Sequence, residues 1–201
     1  MLPKPLEELQ KIFEAFPGIG PRQSSRFVFF LMKQPKEEID KIIHALNEMK
    51  KEVRLCRECY LPAGSVQDCF VCSDLKRDKN IVYVVEKESD ALNMESAKIL
   101  DGVYFVLGEN ISPMQGLQTA KERAKDLVRR VKKHGGGKEI VLALNNTREG
   151  NFTALYVEEL LKENFGGKEI KITRLGRGLS TGSELEYSDE ETLRNALENR
   201  R

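Results

Sequence analysis

Ile81-Val82-Tyr83-Val84-Val85 is an unbroken run of β-branched and aromatic residues. A strand with one wet face alternates apolar and polar positions, whereas a run apolar at every position belongs to a strand covered on both faces. Val103-Tyr104-Phe105-Val106-Leu107 and Ile140-Val141-Leu142-Ala143-Leu144 have the same character, and a more mixed strand is expected over 169–175. Between these runs lie stretches of helical spacing at about 89–100, 119–134 and 152–164, with glycine breaks at 135–137 and at Gly166-Gly167. Strands alternating with helices predict an α/β fold built on a parallel sheet. Ligands gather at the carboxyl ends of such strands. That singles out Glu86, directly after the first run, and Asn145-Asn146-Thr147-Arg148-Glu149-Gly150, after the third.

Immediately before the sheet stand Cys56-Arg57-Glu58-Cys59 and Cys69-Phe70-Val71-Cys72, separated by nine residues that include Pro62 and Gly64. Two C-x-x-C pairs supply four thiolates, the number a structural zinc takes, and leave no open position for catalysis. Disulfides and an iron–sulfur cluster are the alternatives. The first is disfavoured in a reducing compartment, and nothing in the segment suggests electron transfer.

Composition bounds the rest. In 201 residues, 40% apolar and 32% charged, there is enough to bury a core and no long apolar run to cross a membrane. Pro3, Pro5, Glu7 and Glu8 interrupt the start, where a secretory signal needs a continuous apolar stretch. A cytoplasmic location is therefore expected. The net charge of +1 averages segments of opposite sign. Residues 121–138 carry Lys121, Arg123, Lys125, Arg129, Arg130, Lys132, Lys133 and Lys138 against Glu122 and Asp126, while 184–198 is acidic. The basic stretch reads either as a surface for phosphates or as the solvated face of an amphipathic helix.

At the amino-terminal end, Leu6, Leu9, Ile12 and Phe13 recur at helical spacing and stop at Phe16-Pro17-Gly18-Ile19-Gly20-Pro21. A second helix is expected over 22–32, with Phe27, Phe30 and Leu31 on its buried face. A third follows Pro35, with an apolar stripe of Ile39, Ile42, Ile43, Leu46, Met49 and Val53. Glycines at the turn let the backbone approach a neighbour closely, and the free N–H groups of the next helix can grip a phosphate. Arg22 and Arg26 add charge one turn apart, supported by Lys33. The pattern resembles the helix-hairpin-helix, which binds the DNA backbone without reading bases. A plain helical hairpin with a glycine turn is the alternative.

Taken in order, these marks resemble the RecR family of bacterial recombination-repair proteins along nearly the whole chain. The matching residues are Pro17-Gly18-Ile19-Gly20, the four cysteines, Val84-Val85-Glu86, Gly108 with Ser112-Pro113 and Gly116, Asn145 to Gly150, and Gly182-Ser183-Glu184-Leu185-Glu186-Tyr187 with Thr192-Leu193. Arg22 stands where that family usually has lysine, Val71 where it has isoleucine, Ser180 where it commonly has proline, and Glu109 where glycine is frequent.

The resemblance implies four parts: a helix-hairpin-helix region over 1–54, a four-cysteine zinc finger over 55–78, a Toprim domain over 79–175 and a glycine-rich loop and helix over 176–201. It implies zinc at Cys56, Cys59, Cys69 and Cys72, DNA contact at Gly18, Gly20, Arg22, Arg26 and Lys33, and partner contact at Glu86, Arg148 and Glu149. Toprim enzymes hold Mg²⁺ with a glutamate and a later pair of aspartates. Here Asn145 and Thr147 occupy the aspartate positions, so no catalysis is expected. Asn145, Asn146 or Thr147 also suits a helix cap. Members of this family are mediators. They are held to form a clamp-like oligomer, dimer or tetrameric ring, on single-stranded, double-stranded or gapped DNA, and with RecO and RecF to promote RecA loading. A nucleoid-associated bacterial protein with no membrane contact follows. An active nuclease or primase and a zinc-bearing protein adaptor are the rival classes.

Overall fold

The computed structural model describes residues 2–64, 69–98, 100–111, 118–134, 139–166 and 170–200. The glycine turn expected at 135–137, Lys138, Gly167, the strand start at Glu169, and Ser112, Pro113 and Gly116 lie outside them.

The chain divides into two compact units, Met1–Val53 and Arg54–Arg201. The first holds α1 (Lys4–Glu14), α2 (Pro21–Met32) and α3 (Lys36–Glu52). Pro21 occupies the first turn of α2, where its missing N–H costs no helical bond. The pairing of α1 with α2 rests on Phe13, whose ring meets Phe27 edge to face at 5.6 Å. The Ser24 hydroxyl joins it, donating to Glu14 at 3.2 Å. The buried positions of α2 are Ser24 and Val28, with Phe27 and Leu31 half-buried beside them. Phe30, expected inside, is 61% exposed. Every residue from Phe27 to Met32 is apolar, so composition alone could not set the phase of the helix. The apolar stripe of α3 is likewise exposed at Ile42, Ile43, Leu46 and Met49.

The second unit begins with β1 (Arg54–Leu55) and β2 (Pro62–Ala63), an antiparallel pair flanking the first cysteine pair. Then come β3 (Asp78–Val85), α4 (Glu88–Ser96), β4 (Gly102–Val106), α5 (Gln118–Lys133), β5 (Glu139–Ala143), α6 (Arg148–Phe165), β6 (Lys171–Arg174), a 3₁₀ turn (Leu185–Tyr187) and α7 (Glu190–Glu198). The four longer strands form one parallel sheet in the order β4-β3-β5-β6. Right-handed crossovers put α4 on one face and α5 and α6 on the other, and α5 packs beside α6. Val84 and Val85, all of β4, and Ile140 and Leu142 are buried between these layers with Leu127, Val157 and Leu161. The expected strands thus form, and α4 ends at Ser96, short of the expected 100.

The strand order has a functional consequence. From β3 the chain crosses to β4 on one side and then returns past β3 to β5 on the other. The winding therefore reverses between β3 and β5, and the carboxyl ends of the strands at such a reversal are the usual ligand position of a doubly wound sheet. Glu86 and Asn145 stand on the two sides of that reversal.

Candidate functional site

Three places bear the residues singled out above. The first is the cysteine cluster. Cys56, Cys59 and Cys69 are buried, Cys72 is half-buried, and the four sulfurs lie within 4.8 Å of one another. Tyr60 takes a left-handed backbone with φ +64° so that the chain can turn back after Cys59. Its N–H bonds the Cys56 carbonyl at 2.9 Å, and the Cys56 N–H bonds the Leu61 carbonyl at 2.8 Å. This tight turn brings two sulfurs to one point. The knuckle is fastened to the sheet by the Val106 N–H, which donates to the Cys59 carbonyl at 2.9 Å. Zinc–sulfur bonds of about 2.3 Å in a tetrahedron imply sulfur–sulfur edges of about 3.8 Å. The observed Cys56–Cys72 separation is 3.9 Å and Cys59–Cys69 is 3.4 Å, so the donor set fits such an ion. Contact with the Cys69 sulfur, together with burial, raises the Cys59 pKa, because two buried thiolates side by side repel one another. A dication relieves this by making both thiolates favourable.

The second place is the reversal point, at the carboxyl ends of β3 and β5. Glu86 is 5% exposed. Its Oε2 accepts a 2.8 Å hydrogen bond from the Asn145 side-chain amide, and its Oε1 lies 3.2 Å from Lys87 Nζ. Burial pushes the Glu86 pKa up, but Asn145, Lys87 and Asn110 together outweigh it and hold the carboxyl below its ordinary value. Thr147 caps α6, its Oγ1 accepting the Gly150 N–H at 3.0 Å. Gly150 is required here, because a Cβ would lie 2.1 Å from the Asn145 carbonyl oxygen. The two positions where magnesium enzymes keep aspartates are thus occupied by an amide that donates to Glu86 and a hydroxyl that caps a helix. Arg148 and Glu149 are exposed at the start of α6. Beside them a cleft of about 240 Å³ is lined by Asn145, Asn146, Asn151, Arg174 and Arg177. The two arginines were not anticipated; the glycines around them were the only signal.

The third place is the α1–α2 connection. Gly18 has φ +76°, a conformation that disfavours any side chain, and nothing lies within 4 Å of a Cβ built on Gly18 or Gly20. No side chain caps α2. Arg22, Arg26 and Lys33 are exposed, and among the described residues none of them pairs with a carboxylate.

The basic helix α5 behaves differently. Arg130 is buried and donates to the Tyr104 carbonyl at 2.7 Å. Arg123 lies 4.4 Å from the centre of the Tyr60 ring, Arg129 pairs with Asp126, Lys133 pairs with Glu58 at 2.5 Å, and Lys132 bonds Asn164 at 2.9 Å. Much of this charge is spent holding the cysteine knuckle and α6 to the sheet, which favours the structural reading of the segment. Among the described residues, no helix is long and apolar enough to cross a membrane.

A parallel sheet of this order, with a glutamate ending β3 and a capped loop ending β5, defines a Toprim domain, and the Toprim domain family model matches residues 80–176. A second model, RecR C-terminal, matches residues 178–201. The chain is 36% identical over 201 residues to a recombination protein RecR of Lactobacillus delbrueckii subsp. bulgaricus, covering 98% of this chain and 97% of the relative. It is 37% identical to that of Pelotomaculum thermopropionicum, covering 98% and 96%. With that of Gloeothece citriformis the identity is 39%, covering 100% and 98%. The chain belongs to the RecR family of recombination proteins, and its role lies in recombinational repair.

Proposed function

We propose that this chain is a non-catalytic DNA-binding mediator that assembles into a clamp-like homo-oligomer and, with RecO and RecF, promotes RecA loading on gapped or single-stranded DNA. Gly18 and Gly20 let the DNA backbone come close to the start of α2, as in a helix-hairpin-helix, and Arg22, Arg26 and Lys33 neutralise phosphates. Counterion release supplies most of the affinity, without reading bases. Zinc at Cys56, Cys59, Cys69 and Cys72 is structural and holds the knuckle against the sheet. Arg148 and Glu149 offer the partner contact on the Toprim face; Glu86, expected to share that contact, is 5% exposed and bonded to Asn145, so its part is to hold the end of β5. The exposed apolar stripe of α3 supports self-association. Catalysis is disfavoured because Asn145 and Thr147 give no anionic oxygen to a magnesium ion.

The observation that carries this reading is the pair Arg22 and Arg26: two exposed cations one helical turn apart beside an open glycine turn, with no carboxylate partner among the described residues. The test is Arg22→Glu with Arg26→Glu, measured by fluorescence anisotropy on labelled gapped DNA across a salt series, alongside thermal melts. Binding should be nearly abolished at physiological salt, with melting, zinc content and mass unchanged. Arg22→Ala should flatten the slope of log affinity against log salt by about one unit. Wild-type affinity in a normally folded double variant would remove the hairpin as the DNA-binding element, and a lowered melting temperature with intact affinity would make the arginines structural.

A further inference from the structure

Along the outer face of α2, Arg26, Phe29, Phe30 and Lys33 line one shallow groove of about 390 Å³. Their spacing of three and four residues places them in a single stripe on a helix. Phe29 is 39% exposed and Phe30 61%, although Val28 between them and Arg26 is buried at 1%. The aromatic rings therefore face outward by the set of the helix, while a smaller residue fills the inside. Residues 15–36 contain no carboxylate, and their cations are Arg22, Arg26, Lys33 and Lys36. With about 1.5 Å of rise per residue, Arg26 and Lys33 stand about 10 Å apart along the axis with the two rings between them.

We infer that this stripe is a stacking platform for unpaired bases of single-stranded DNA, with Phe30 as the principal ring and Arg26 and Lys33 bracketing the strand at its phosphates. A purely apolar partner would leave both cations desolvated and unpaired, which is costly. A duplex keeps its base faces stacked on one another, so only its phosphates could use the site. A single strand satisfies all four side chains, because every base has a face for a ring and every nucleotide a phosphate for a cation. The inference rests on the proposal that α2 is a DNA-binding element, and it narrows that element's ligand from nucleic-acid backbone to strands with exposed bases.

The chain contains no tryptophan, so Phe30→Trp introduces a single reporter at an exposed position. Titration of that full-length variant with oligothymidylate should quench its fluorescence, while the same length of abasic strand or a blunt duplex should leave it nearly unchanged. Phe30→Ala should weaken binding to oligothymidylate about tenfold and to duplex by less than about twofold, and Phe30→Tyr should restore the difference. Bound oligothymidylate that does not quench the tryptophan would overturn the inference. So would an equal loss of both ligands in Phe30→Ala, or a change of oligomeric mass with unchanged affinity, which would make the ring a subunit contact. In each case the arginine reading of α2 could still stand, because it is tested separately by Arg22→Glu with Arg26→Glu on duplex and gapped DNA.

Discussion

The side-chain amide of Asn145, at the end of β5, donates a 2.8 Å hydrogen bond to Oε2 of Glu86, at the end of β3. A neutral N–H thus stands against the buried carboxylate, where the related magnesium enzymes place a second acid. This bond ties the two strand ends on either side of the point where the sheet reverses its winding.

Removing that donor should change both stability and its pH dependence. Asn145→Leu leaves the buried carboxylate with Lys87 and Asn110, so the Glu86 pKa should rise. In the wild type the folded pKa is lowered. The stability Glu86 contributes is therefore present above its ordinary unfolded value and lost as pH falls through the lowered folded one. The variant should be less stable by about 1–3 kcal/mol at neutral pH, and the gap should shrink in acid. Urea unfolding at both pH values checks this; a gap that widens in acid would contradict it.

Magnesium should produce no covalent change in DNA. With Asn145 committed to Glu86 and Thr147 to the Gly150 N–H, Glu86 is the one carboxylate at the three positions where Toprim enzymes keep acids. Incubation of labelled single- and double-stranded DNA with the protein and magnesium should leave every strand intact. Cleavage or primer synthesis that disappears in Glu86→Ala would contradict the assignment.

One zinc per chain should be found by metal analysis. Structural zinc contributes roughly 10–16 kcal/mol of apparent binding free energy in small finger peptides. A whole domain is stable by only about 5–15 kcal/mol. The cysteines belong to the same core as the sheet, so Cys56→Ala or Cys72→Ala should give insoluble protein or a much lower melting temperature. Folded, soluble protein free of zinc would refute the site.

Gly108→Ala should cost about 1–3 kcal/mol, read from the midpoint of urea unfolding. Gly108 has φ +90°, and a Cβ there would lie 2.5 Å from Nη1 of Arg123. That guanidinium also covers the Tyr60 ring beside the cysteine knuckle. Arg123→Ala in the Gly108→Ala background should recover little, because the backbone strain remains.

The sequence by itself determined the local features: which segments are strands covered on both faces, where the chain turns at Gly18, and which four sulfurs can share one ion. Each rests on neighbouring residues whose chemistry acts over one or two turns. Thr147 as a cap was also legible in this way, since a hydroxyl three residues before Gly150 reaches its N–H. Tertiary structure alone decided which cations are free. Arg130 and Lys133 look like Arg22 and Arg26 in a sequence, but only the fold brings them to Tyr104 and Glu58. It also set the phase of α2, because packing Val28 inward turns Phe30 out of a run that is apolar throughout. Glu86 and Asn145 meet across 59 positions, because strand order, which no local pattern encodes, sets β5 beside β3.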